Sequence, residues 1–342
     1  MQDGFGRHID YLRISVTDRC SLRCVYCMPP EGVKLARHAD MLSLEEILKV
    51  CEAAARLGIN KFKITGGEPL ERRGLTSFIH SLKRQSGVKT VTLTSNGAAL
   101  CGFLDGLQKA GLDAVNISLD TLRPAVFRRI TRSDGLENTL RAIEDVRKTP
   151  LALKINCVPL RGVNEDDIVP LAMFARHPAV TVRFIELMPL GLGAAFSPVP
   201  QDEVFARLRG AFGGLTPCGG PPGNGPASYY SAAGLAGKIG FISALSRSFC
   251  ASCNRLRLTS MGLLKPCLSS DLSVDLKSAL RGGGRGSVAG GGAGANAADI
   301  PADCMEKIEE AIRAAVMIKP AGHDFHAGGS RHKNKDMFRI GG

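Results

Sequence analysis

The sequence predicts an α/β protein built on a parallel sheet. Between residues 11 and 188, six apolar strands alternate with helices, which is typical of parallel strands joined by crossover helices. The strands are rich in Val, Ile and Leu, as burial on both faces of a sheet requires. The chain has 342 residues, of which 44% are hydrophobic and 22% charged. It is therefore long enough for one large domain or two ordinary ones, and its composition excludes a wholly disordered protein.

The predicted elements follow one another at short intervals. The predicted strands cover residues 11–17, 61–65, 88–95, 114–120, 151–158 and 180–188. The predicted helices cover residues 43–59, 73–85, 98–110, 135–148 and 164–176. The first helix has the clearest boundaries, since Ser43 is suited to the N-cap, Glu46 completes a capping box and Gly58 follows the last turn.

Residues beyond the sixth strand give a weaker pattern. Residues 190–245 are rich in Gly and Pro, and we expect the stretch 217–228 to be a flexible connection. A short strand is predicted at 256–260. The low-complexity segment 281–299 cannot form a packed core and predicts a disordered insert, whereas 303–319 has the pattern of an amphipathic helix.

Cysteine usage is the most informative feature of the sequence. The number of cysteines is eleven, which is odd, and the chain is large, so a disulfide framework is not expected. Six of them form two triads, Cys20, Cys24 and Cys27 in the loop after the first strand, and Cys250, Cys253 and Cys267 near the short late strand. The other five, Cys51, Cys101, Cys157, Cys218 and Cys304, stand alone, and we interpret them as small structural residues.

Three cysteines do not complete either of the common metal sites. A structural zinc needs four nitrogen or sulfur ligands, and neither triad has a histidine at metal-binding spacing. A cubane 4Fe–4S cluster normally takes four cysteines, so three leave one iron with an open position. Two triads therefore suggest two reactive clusters, with zinc as the structural alternative.

Several candidate site residues lie at or near the carboxyl ends of the predicted strands. They are the first triad, the GGEP stretch at 66–69, residues 94–96, Ser118, Lys154 and Met188. In parallel α/β folds, functional sites gather where the strands end. We therefore expect one cavity at the carboxyl edge of the sheet.

The charge balance predicts an anionic partner. Lys and Arg number 44 against 32 Asp and Glu, a net charge of +12. No tryptophan and only four tyrosines are present, which disfavours stacking on nucleic acid. The sequence has no P-loop motif, so any triphosphate would be bound by scattered basic side chains.

No run of about 18 apolar residues predicts a membrane span, and the first twenty residues lack the apolar core of a secretion signal.

These motifs resemble a known enzyme family. The first triad, with Tyr26 before its last cysteine, resembles the signature of the radical S-adenosylmethionine superfamily, and GGEP resembles that superfamily's second motif. TGGEPL, NISLDTL, RFIELMP and FCASCNRLRLTSMGLLKPCL together resemble the GTP 3′,8-cyclase family. Members of that family carry out the first step of molybdenum cofactor biosynthesis. The resemblance covers about residues 4–280 and 303–342.

The resemblance implies a fold, cofactors and a reaction. The fold would be an incomplete (β/α)6 triose-phosphate-isomerase-like barrel over 1–190, followed by a C-terminal cluster-binding extension over 191–342. The cofactors would be two 4Fe–4S clusters and S-adenosylmethionine. In this family, a radical formed from S-adenosylmethionine takes a hydrogen from C3′ of GTP. The C3′ radical then attacks C8, and reduction of the cyclised radical by one electron and a proton gives (8S)-3′,8-cyclo-7,8-dihydroguanosine 5′-triphosphate.

The resemblance also implies a role for individual residues. Cys20, Cys24 and Cys27 would hold the first cluster, and Cys250, Cys253 and Cys267 the second. Tyr26, Gly67, Ser118 and Met188 would bind S-adenosylmethionine. Arg13, Lys63, Thr94, Lys154, Arg255, Leu256 and Arg257 would bind GTP. Gly341 and Gly342 resemble the family's mobile terminus, which reaches into the active site. Lys63 stands where the family more often has arginine, so the charge is kept and the forked geometry is lost.

Two other functions fit part of the pattern. A radical S-adenosylmethionine enzyme acting on a peptide would share the first triad but would need no phosphate-binding residues. A zinc-stabilised nucleic-acid-binding protein would account for the charge and the second triad.

The resemblance further implies partners. It implies a homodimer and cyclic pyranopterin monophosphate synthase as the downstream enzyme, and neither nucleic acid nor a membrane is expected. We expect a protein that is not secreted and lies in the cytoplasm of a bacterium or the mitochondrial matrix of a eukaryote. The residues do not specify the electron donor.

Overall fold

The computed structural model describes residues 1–220, 225–282, 304–325 and 337–340. The strands are β1 (Tyr11–Ser15), β2 (Lys61–Thr65), β3 (Thr90–Ser95), β4 (Ala114–Ser118), β5 (Ala152–Cys157), β6 (Val180–Ile185), β7 (Thr216–Cys218), β8 (Ser228–Ser231), β9 (Lys238–Ile242), β10 (Arg255–Leu258), β11 (Leu263–Lys265) and β12 (Val274–Asp275). The α-helices are α1 (Leu44–Arg56), α2 (Leu75–Lys83), α3 (Leu104–Lys109), α4 (Pro124–Thr131), α5 (Leu136–Arg147), α6 (Ile168–Ala172), α7 (Gln201–Phe212), α8 (Leu276–Leu280), α9 (Cys304–Met317) and α10 (Met337–Ile340).

One sheet contains all of these strands, in the order β12-β11-β10-β1-β2-β3-β4-β5-β6-β9-β8-β7. The central run from β10 through β1–β6 to β9 is parallel, and β7, β8, β11 and β12 join antiparallel at the two ends. Within the part of the chain that the structure describes, β9 and β10 do not pair with each other. The predicted class, an incomplete α/β barrel with a C-terminal extension, is confirmed.

The six predicted strands are all present, and the helices differ in detail. Helix α4 was not predicted, because it begins only six residues after Ser118 and its short sequence includes two arginines, Arg128 and Arg129. The helix predicted over 164–176 is in fact a short α6 between two 3-10 turns, Glu165–Asp167 and Met173–Arg176. Pro170 lies inside this segment and has no N–H for the ladder.

The Gly- and Pro-rich region 190–245, for which no helix or strand was predicted, contains α7 and the three strands β7, β8 and β9. The stretch 217–228, predicted as a flexible connection, overlaps the end of β7 and the start of β8. Of the stretch 217–228, residues 221–224 lie outside the described residues. Strand β9 pairs with β6 in the parallel run, which gives its apolar side chains Ile239 and Phe241 a place in the core. Gly and Pro content alone did not reveal this pairing, because the partner strand is distant in sequence.

The first helix forms as predicted, and it also contacts Arg281, a residue far away in the sequence. The hydroxyl of Ser43 accepts from the amide of Glu46 at 3.1 Å, and the Ser43 amide donates to the Glu46 carboxylate at 2.7 Å. Arg281 donates to the same carboxylate at 2.6 Å. Arg281, the first residue of the predicted insert 281–299, is therefore held by this ion pair with Glu46. Residues 283–299 lie outside the described part of the chain.

Alternation along the strands decides which side chains reach the interior of the curved sheet. On β1, Leu12 belongs to the hydrophobic core and Arg13 lines a cavity on the opposite face. On β10, Leu256 and Leu258 are buried in the core, while Arg255 and Arg257 line the same cavity. Successive residues of a strand point to opposite faces, so one strand supplies both core and cavity.

Gly237 lies where the chain enters β9 against β6, and it has no room for a side chain. A Cβ built there would be 2.0 Å from the carbonyl oxygen of Val180 and 2.7 Å from that of His177. We expect Gly237→Ala to lower the free energy of unfolding by about 1–3 kcal/mol, because backbone atoms cannot move aside as side chains do. Urea denaturation measures the change.

Gly210 provides the matched control within the same region. It lies in α7, and a Cβ there meets nothing within 4 Å. Gly210→Ala should raise the free energy of unfolding by about 0.5–1 kcal/mol, because alanine loses less backbone entropy in a helix. Equal effects of the two substitutions would contradict the proposed close approach.

Candidate functional site

A single cavity of about 330 Å³ runs through the interior of the curved sheet, and all six triad cysteines line it. The first triad follows the carboxyl end of β1, whereas Cys250 and Cys253 precede the amino end of β10. Because β1 and β10 are parallel, the two triads lie at opposite ends of the cavity. A five-residue strand spans roughly 16 Å at about 3.3 Å per residue, which sets the scale of their separation.

The unpredicted helix α4 helps to hold the loop of the first triad. The amides of Arg23 and Val25 donate to the carbonyls of Thr131 and Ile130 at the end of that helix, both at 2.9 Å. Within the loop, the amide of Cys27 donates to the carbonyl of Cys24 at 2.8 Å. The loop is thus shaped by backbone contacts and leaves its three thiols facing the cavity.

A second anchor of this loop is the side chain of Tyr26. Its hydroxyl donates to Asp120 Oδ2 at 2.6 Å, and Asp120 Oδ1 accepts from the amide of Val158 at 2.8 Å. Asp120 follows β4, so the contact ties the triad loop to the carboxyl edge of the sheet. Burial raises the pKa of Asp120 to about 6 despite these hydrogen bonds. Sequence reasoning missed Asp120, although a carboxylate after an apolar strand was a usable signal.

The GGEP stretch brings two loops into backbone contact. Gly67 donates from its amide to the carbonyl of Thr17 at 2.8 Å, and a Cβ at Gly67 would be 2.3 Å from the carbonyl oxygen of Arg19. Glu68 is buried, and its carboxylate accepts from Ser95 Oγ at 2.9 Å and from the amide of Asn96 at 2.7 Å. Asn96 in turn donates to Cys20 Sγ at 3.8 Å. GGEP therefore places a glycine backbone and a buried carboxylate beside the first triad.

The two triads have opposite electrostatic surroundings. Burial, followed by the charges of Glu68 and Glu71, raises the pKa of Cys20 to about 11. Burial also raises the pKa of Cys253, but the charges of Arg255 and Lys319 outweigh it and bring that pKa to about 7. The first triad thus lies among carboxylates and the second among cations.

Three cations stand side by side between the triads. In the register of the sheet, Arg13 on β1 lies opposite Arg257 on β10 and Lys63 on β2. Burial lowers the pKa of Lys63, and the charges of Arg183 and Arg13 lower it further. Neighbouring strands are about 4.8 Å apart, so these like charges are concentrated in a small volume. Such a row suits a ligand that carries several negative charges.

Arg183 is a further buried cation that sequence reasoning missed. It is 4% exposed, lines the cavity from β6, and donates to the side-chain oxygens of Asn156 at 2.6 Å and Asn116 at 3.0 Å. The two amides hold the guanidinium in one orientation without neutralising it. A charged residue in the middle of the apolar strand VTVRFI was the signal for a functional arginine.

Most of the predicted site residues line this cavity, and a few do not. Those that do are Arg13, Lys63, Thr94, Arg255 and Arg257, together with Tyr26, Gly67, Ser118 and Met188. Lys154 is 5% exposed in the middle of β5 rather than at its end, and it is not among the lining residues. Burial, then the charge of Arg183, lowers its pKa to about 8. The side chain of Leu256 is in the core, and Gly341 and Gly342 lie outside the described residues.

The C-terminal segment closes part of the cavity. Lys319, His323, Phe325, Met337 and Phe338 all line it. Met337 and Phe325 also pack against the small apolar cluster of Leu190, Leu268 and Ile340. None of these residues was predicted as part of the site, because their positions follow from packing across the whole chain.

The two cysteine triads are suited to clusters of several metal ions rather than to single ions. Among the described residues, no group of three or more His, Cys, Asp or Glu side chains is arranged to hold a single metal ion. Three thiols that each bind a different iron of a cubane need not converge on one point. None of the six triad cysteines is in a disulfide, and Asn96 and Arg255 donate to the sulfurs of Cys20 and Cys253. The residues present therefore fit iron–sulfur clusters.

Replacing Arg257 should stabilise the ligand-free protein. Burial, then the charges of Arg13 and Arg255, lowers the pKa of Arg257 to about 9, so its charged form is less favourable in the folded than in the unfolded chain. At pH 7 the residue is charged and the whole penalty is present; it is relieved as the pH rises through about 9. We expect Arg257→Met to raise the free energy of unfolding at pH 7 by about 1 kcal/mol or more.

The difference between the variant and the original protein should shrink between pH 7 and pH 10, as followed by urea denaturation. Arg129→Met is the control, because Arg129 is exposed on α4 and its loss should change stability by less than about 0.5 kcal/mol. A loss of stability in Arg257→Met would show that the charge is compensated without a ligand.

Two protein-family models match most of the chain. Residues 14–175 match the model of the radical SAM superfamily, and residues 180–289 match the model described as Molybdenum Cofactor Synthesis C. In the part of the chain that the structure describes, there is no helix with the length and apolar character of a membrane span.

Solved structures show the same fold at low sequence identity. Streptococcus suis SuiB bound to precursor peptide SuiA superposes with a TM-score of 0.55 at 13% identity, over 76% of this chain and 60% of that one. SuiB bound to S-adenosylmethionine gives 0.53 at 13% identity, over 78% and 63%. The chain thus spans less than two thirds of SuiB.

Curated relatives are much closer in sequence. The GTP 3′,8-cyclase of Pelotomaculum thermopropionicum is 46% identical over 272 residues, which are 78% of this chain and 84% of the relative. The GTP 3′,8-cyclase of Alkaliphilus oremlandii is 38% identical over an alignment of 346 residues, gaps included, which covers the full length of both chains. With both cysteine triads on one basic cavity and this degree of identity over the whole length, the chain belongs to the GTP 3′,8-cyclase family of radical S-adenosylmethionine enzymes.

Proposed function

We propose that this chain converts GTP into (8S)-3′,8-cyclo-7,8-dihydroguanosine 5′-triphosphate, the first step of molybdenum cofactor biosynthesis. Its cofactors are two 4Fe–4S clusters and S-adenosylmethionine. The observation that carries the proposal is the shared cavity, in which two incomplete sets of cysteine ligands flank a row of buried cations. Family membership extends over the full length of the relative from Alkaliphilus oremlandii.

We assign the first cluster to Cys20, Cys24 and Cys27. When bound, it supplies the electron that cleaves S-adenosylmethionine. The backbone of Gly67 can approach that ligand closely, because glycine leaves the space that a Cβ would fill. Tyr26, Ser118 and Met188 line the same end of the cavity and complete the S-adenosylmethionine site. The contact between Tyr26 and Asp120 holds the loop in register with the sheet.

We assign the second cluster to Cys250, Cys253 and Cys267, with the guanine of GTP beside it. The triphosphate would then meet the cations along the strands, Arg13, Lys63, Arg183, Arg255 and Arg257, with Thr94 as a hydroxyl partner. Lys154 acts from behind this lining, close enough to Arg183 for their charges to interact. Leu256 contributes through its backbone, because its side chain is in the core.

The cavity's shape supports a reaction that must be shielded from water. The sheet surrounds much of the cavity, and Phe325 and Phe338 from the C-terminal region also line it. A carbon radical attacks nearby C–H bonds without discrimination, so a dry, preorganised site is needed. Buried cations hold GTP with its sugar toward the first triad and its base toward the second. We also infer a role for Gly341 and Gly342 in the active site, from the resemblance to the family alone.

The remaining assignments rest on the family. We infer that the product passes to cyclic pyranopterin monophosphate synthase and that the enzyme forms a homodimer. We infer a cytoplasmic location in a bacterium and a mitochondrial matrix location in a eukaryote. Residues 1–190 would form the radical S-adenosylmethionine barrel and residues 191–342 the region of the second cluster.

Turnover of GTP tests the proposed reaction directly. Anaerobically reconstituted protein with S-adenosylmethionine, dithionite and GTP should give 5′-deoxyadenosine and the cyclic nucleotide in about equal amounts. GTP deuterated at C3′ should transfer deuterium to the 5′-deoxyadenosine, as mass spectrometry detects. ATP is the matched control, since it has the same triphosphate and a different base. The absence of both products with GTP would overturn the proposal, and 5′-deoxyadenosine formed only with a peptide would favour the peptide-modifying alternative.

Metal content tests the two cysteine assignments. We expect about eight irons per chain in the reconstituted protein and about four in Cys20→Ala or in Cys253→Ala, because each triad holds one cubane. Cys101→Ala is the control, since Cys101 is exposed and belongs to neither triad. Iron and sulfide analysis gives the numbers. A colourless anaerobic protein with about two zinc ions and no iron would instead support the zinc-stabilised nucleic-acid-binding alternative.

A further inference from the structure

Lys319 is a buried cation at the second triad that neither the sequence motifs nor the proposed reaction uses. It follows α9 and is only 3% exposed. Lysine is almost never fully buried unless its ammonium group has partners. Burial lowers the pKa of Lys319, and the neighbouring sulfurs of Cys253 and Cys267 counteract this effect.

The hydrogen bonds of Lys319 join the two chain segments that carry the second triad. Its Nζ donates to the carbonyl of Arg255 at 2.8 Å and to the carbonyl of Pro266 at 2.6 Å. Arg255 lies two residues after Cys253, and Pro266 immediately precedes Cys267. One ammonium group thus fixes the spacing between both segments, which are otherwise joined through a hairpin of β10 and β11.

The neighbouring residues of Lys319 are fixed from the other side by Arg7. The Arg7 guanidinium donates to the carbonyls of Pro320 at 2.7 Å and Ala321 at 3.0 Å, and also to that of Cys250 at 2.9 Å. Asp3 pairs with this buried guanidinium at 2.6 Å. The segment after α9 is therefore attached to all three cysteine positions, by Lys319 to two and by Arg7 to the third.

A cation in this position affects more than geometry. One-electron reduction of a cluster adds negative charge, and a buried cation beside the ligands favours the reduced form. At the first triad, burial and the charge of Glu68 raise the pKa of Cys20, and burial and the charge of Asp120 raise the pKa of Cys24. At the second triad, burial acts to raise the pKa of Cys253, but the charges of Arg255 and Lys319 both lower it.

We propose that Lys319 is a positioning residue of the second cluster, which holds its two ligand segments together and stabilises its reduced state by charge. The inference rests on the proposed second cluster at Cys250, Cys253 and Cys267. Lys319 touches the ligand segments rather than the reacting atoms, so its removal should alter the cluster before it alters the chemistry.

Two substitutions separate the charge from the hydrogen bonds. Lys319→Gln keeps a donor for the carbonyls and removes the charge, whereas Lys319→Met removes both. Arg313→Gln is the control, because Arg313 is an exposed cation on α9, the helix that precedes Lys319, and its contact with Glu309 is at the surface. Each full-length variant is reconstituted anaerobically, and its iron content, circular dichroism and electron paramagnetic resonance during a dithionite titration are measured. The second cluster is the signal that Cys253→Ala lacks.

For Lys319→Gln, we expect about eight irons per chain. At a given potential, we expect the ratio of oxidised to reduced second cluster to rise tenfold. This shift is a fall of about 59 mV in midpoint potential for a one-electron couple. For Lys319→Met, we expect the same fall or a loss of the second cluster, with iron near four per chain and native circular dichroism. The first cluster and the Arg313→Gln control should keep their potentials.

Full iron content with unchanged potential in both Lys319 variants would overturn the proposal. Loss of native circular dichroism in both would also overturn it, because Lys319 would then serve the fold as a whole. These outcomes are distinct from failure of the proposed function, in which the original protein would hold no second cluster and Cys253→Ala would not change its iron content.

Discussion

The parallel pairing of β10 with β1 is the constraint on which the site depends. β10 follows β1 by more than two hundred residues, and the register places Arg257 opposite Arg13 and Arg255 opposite Tyr11. Because Cys253 directly precedes β10, this pairing also fixes where the second triad enters the cavity. A one-residue slip would turn Arg255 and Arg257 into the core and Leu256 into the cavity, so the register is enforced by both hydrophobic burial and charge.

The cavity combines two electrostatic environments in a small volume. Carboxylates and an amide surround the first triad, whereas cations surround the second and continue along β1 and β2. Concentrating buried positive charge is unfavourable for the empty fold, as the low pKa of Arg257 indicates. A polyanionic ligand would relieve that repulsion, which favours binding of such a ligand in this cavity. The sequence has no P-loop motif, and the buried cations are instead on several neighbouring strands.

Backbone hydrogen bonds and close backbone packing define the shape of the first triad loop. Helix α4 accepts hydrogen bonds from the triad loop, Asp120 holds Tyr26, and Gly67 permits close contact with the loop around Arg19. At the other end, Lys319 and Arg7 perform the equivalent task through carbonyl oxygens. Both ligand sets are therefore preorganised by parts of the chain that contain no cysteine.

The sequence by itself determined the strand–helix alternation, the capping box at Ser43 and Glu46, and the two cysteine triads, because these depend on local spacing and residue chemistry. Alternation of side chains along the strand RLRL was also enough to predict that Arg255 and Arg257 lie on the same face. Tertiary structure alone decided that β9 and β10 extend the sheet, that Arg183 is held by Asn116 and Asn156, and that Lys319 joins the second triad. The reason is physical: those contacts connect residues far apart in the chain, where no local pattern records which partner buries the charge or completes the sheet.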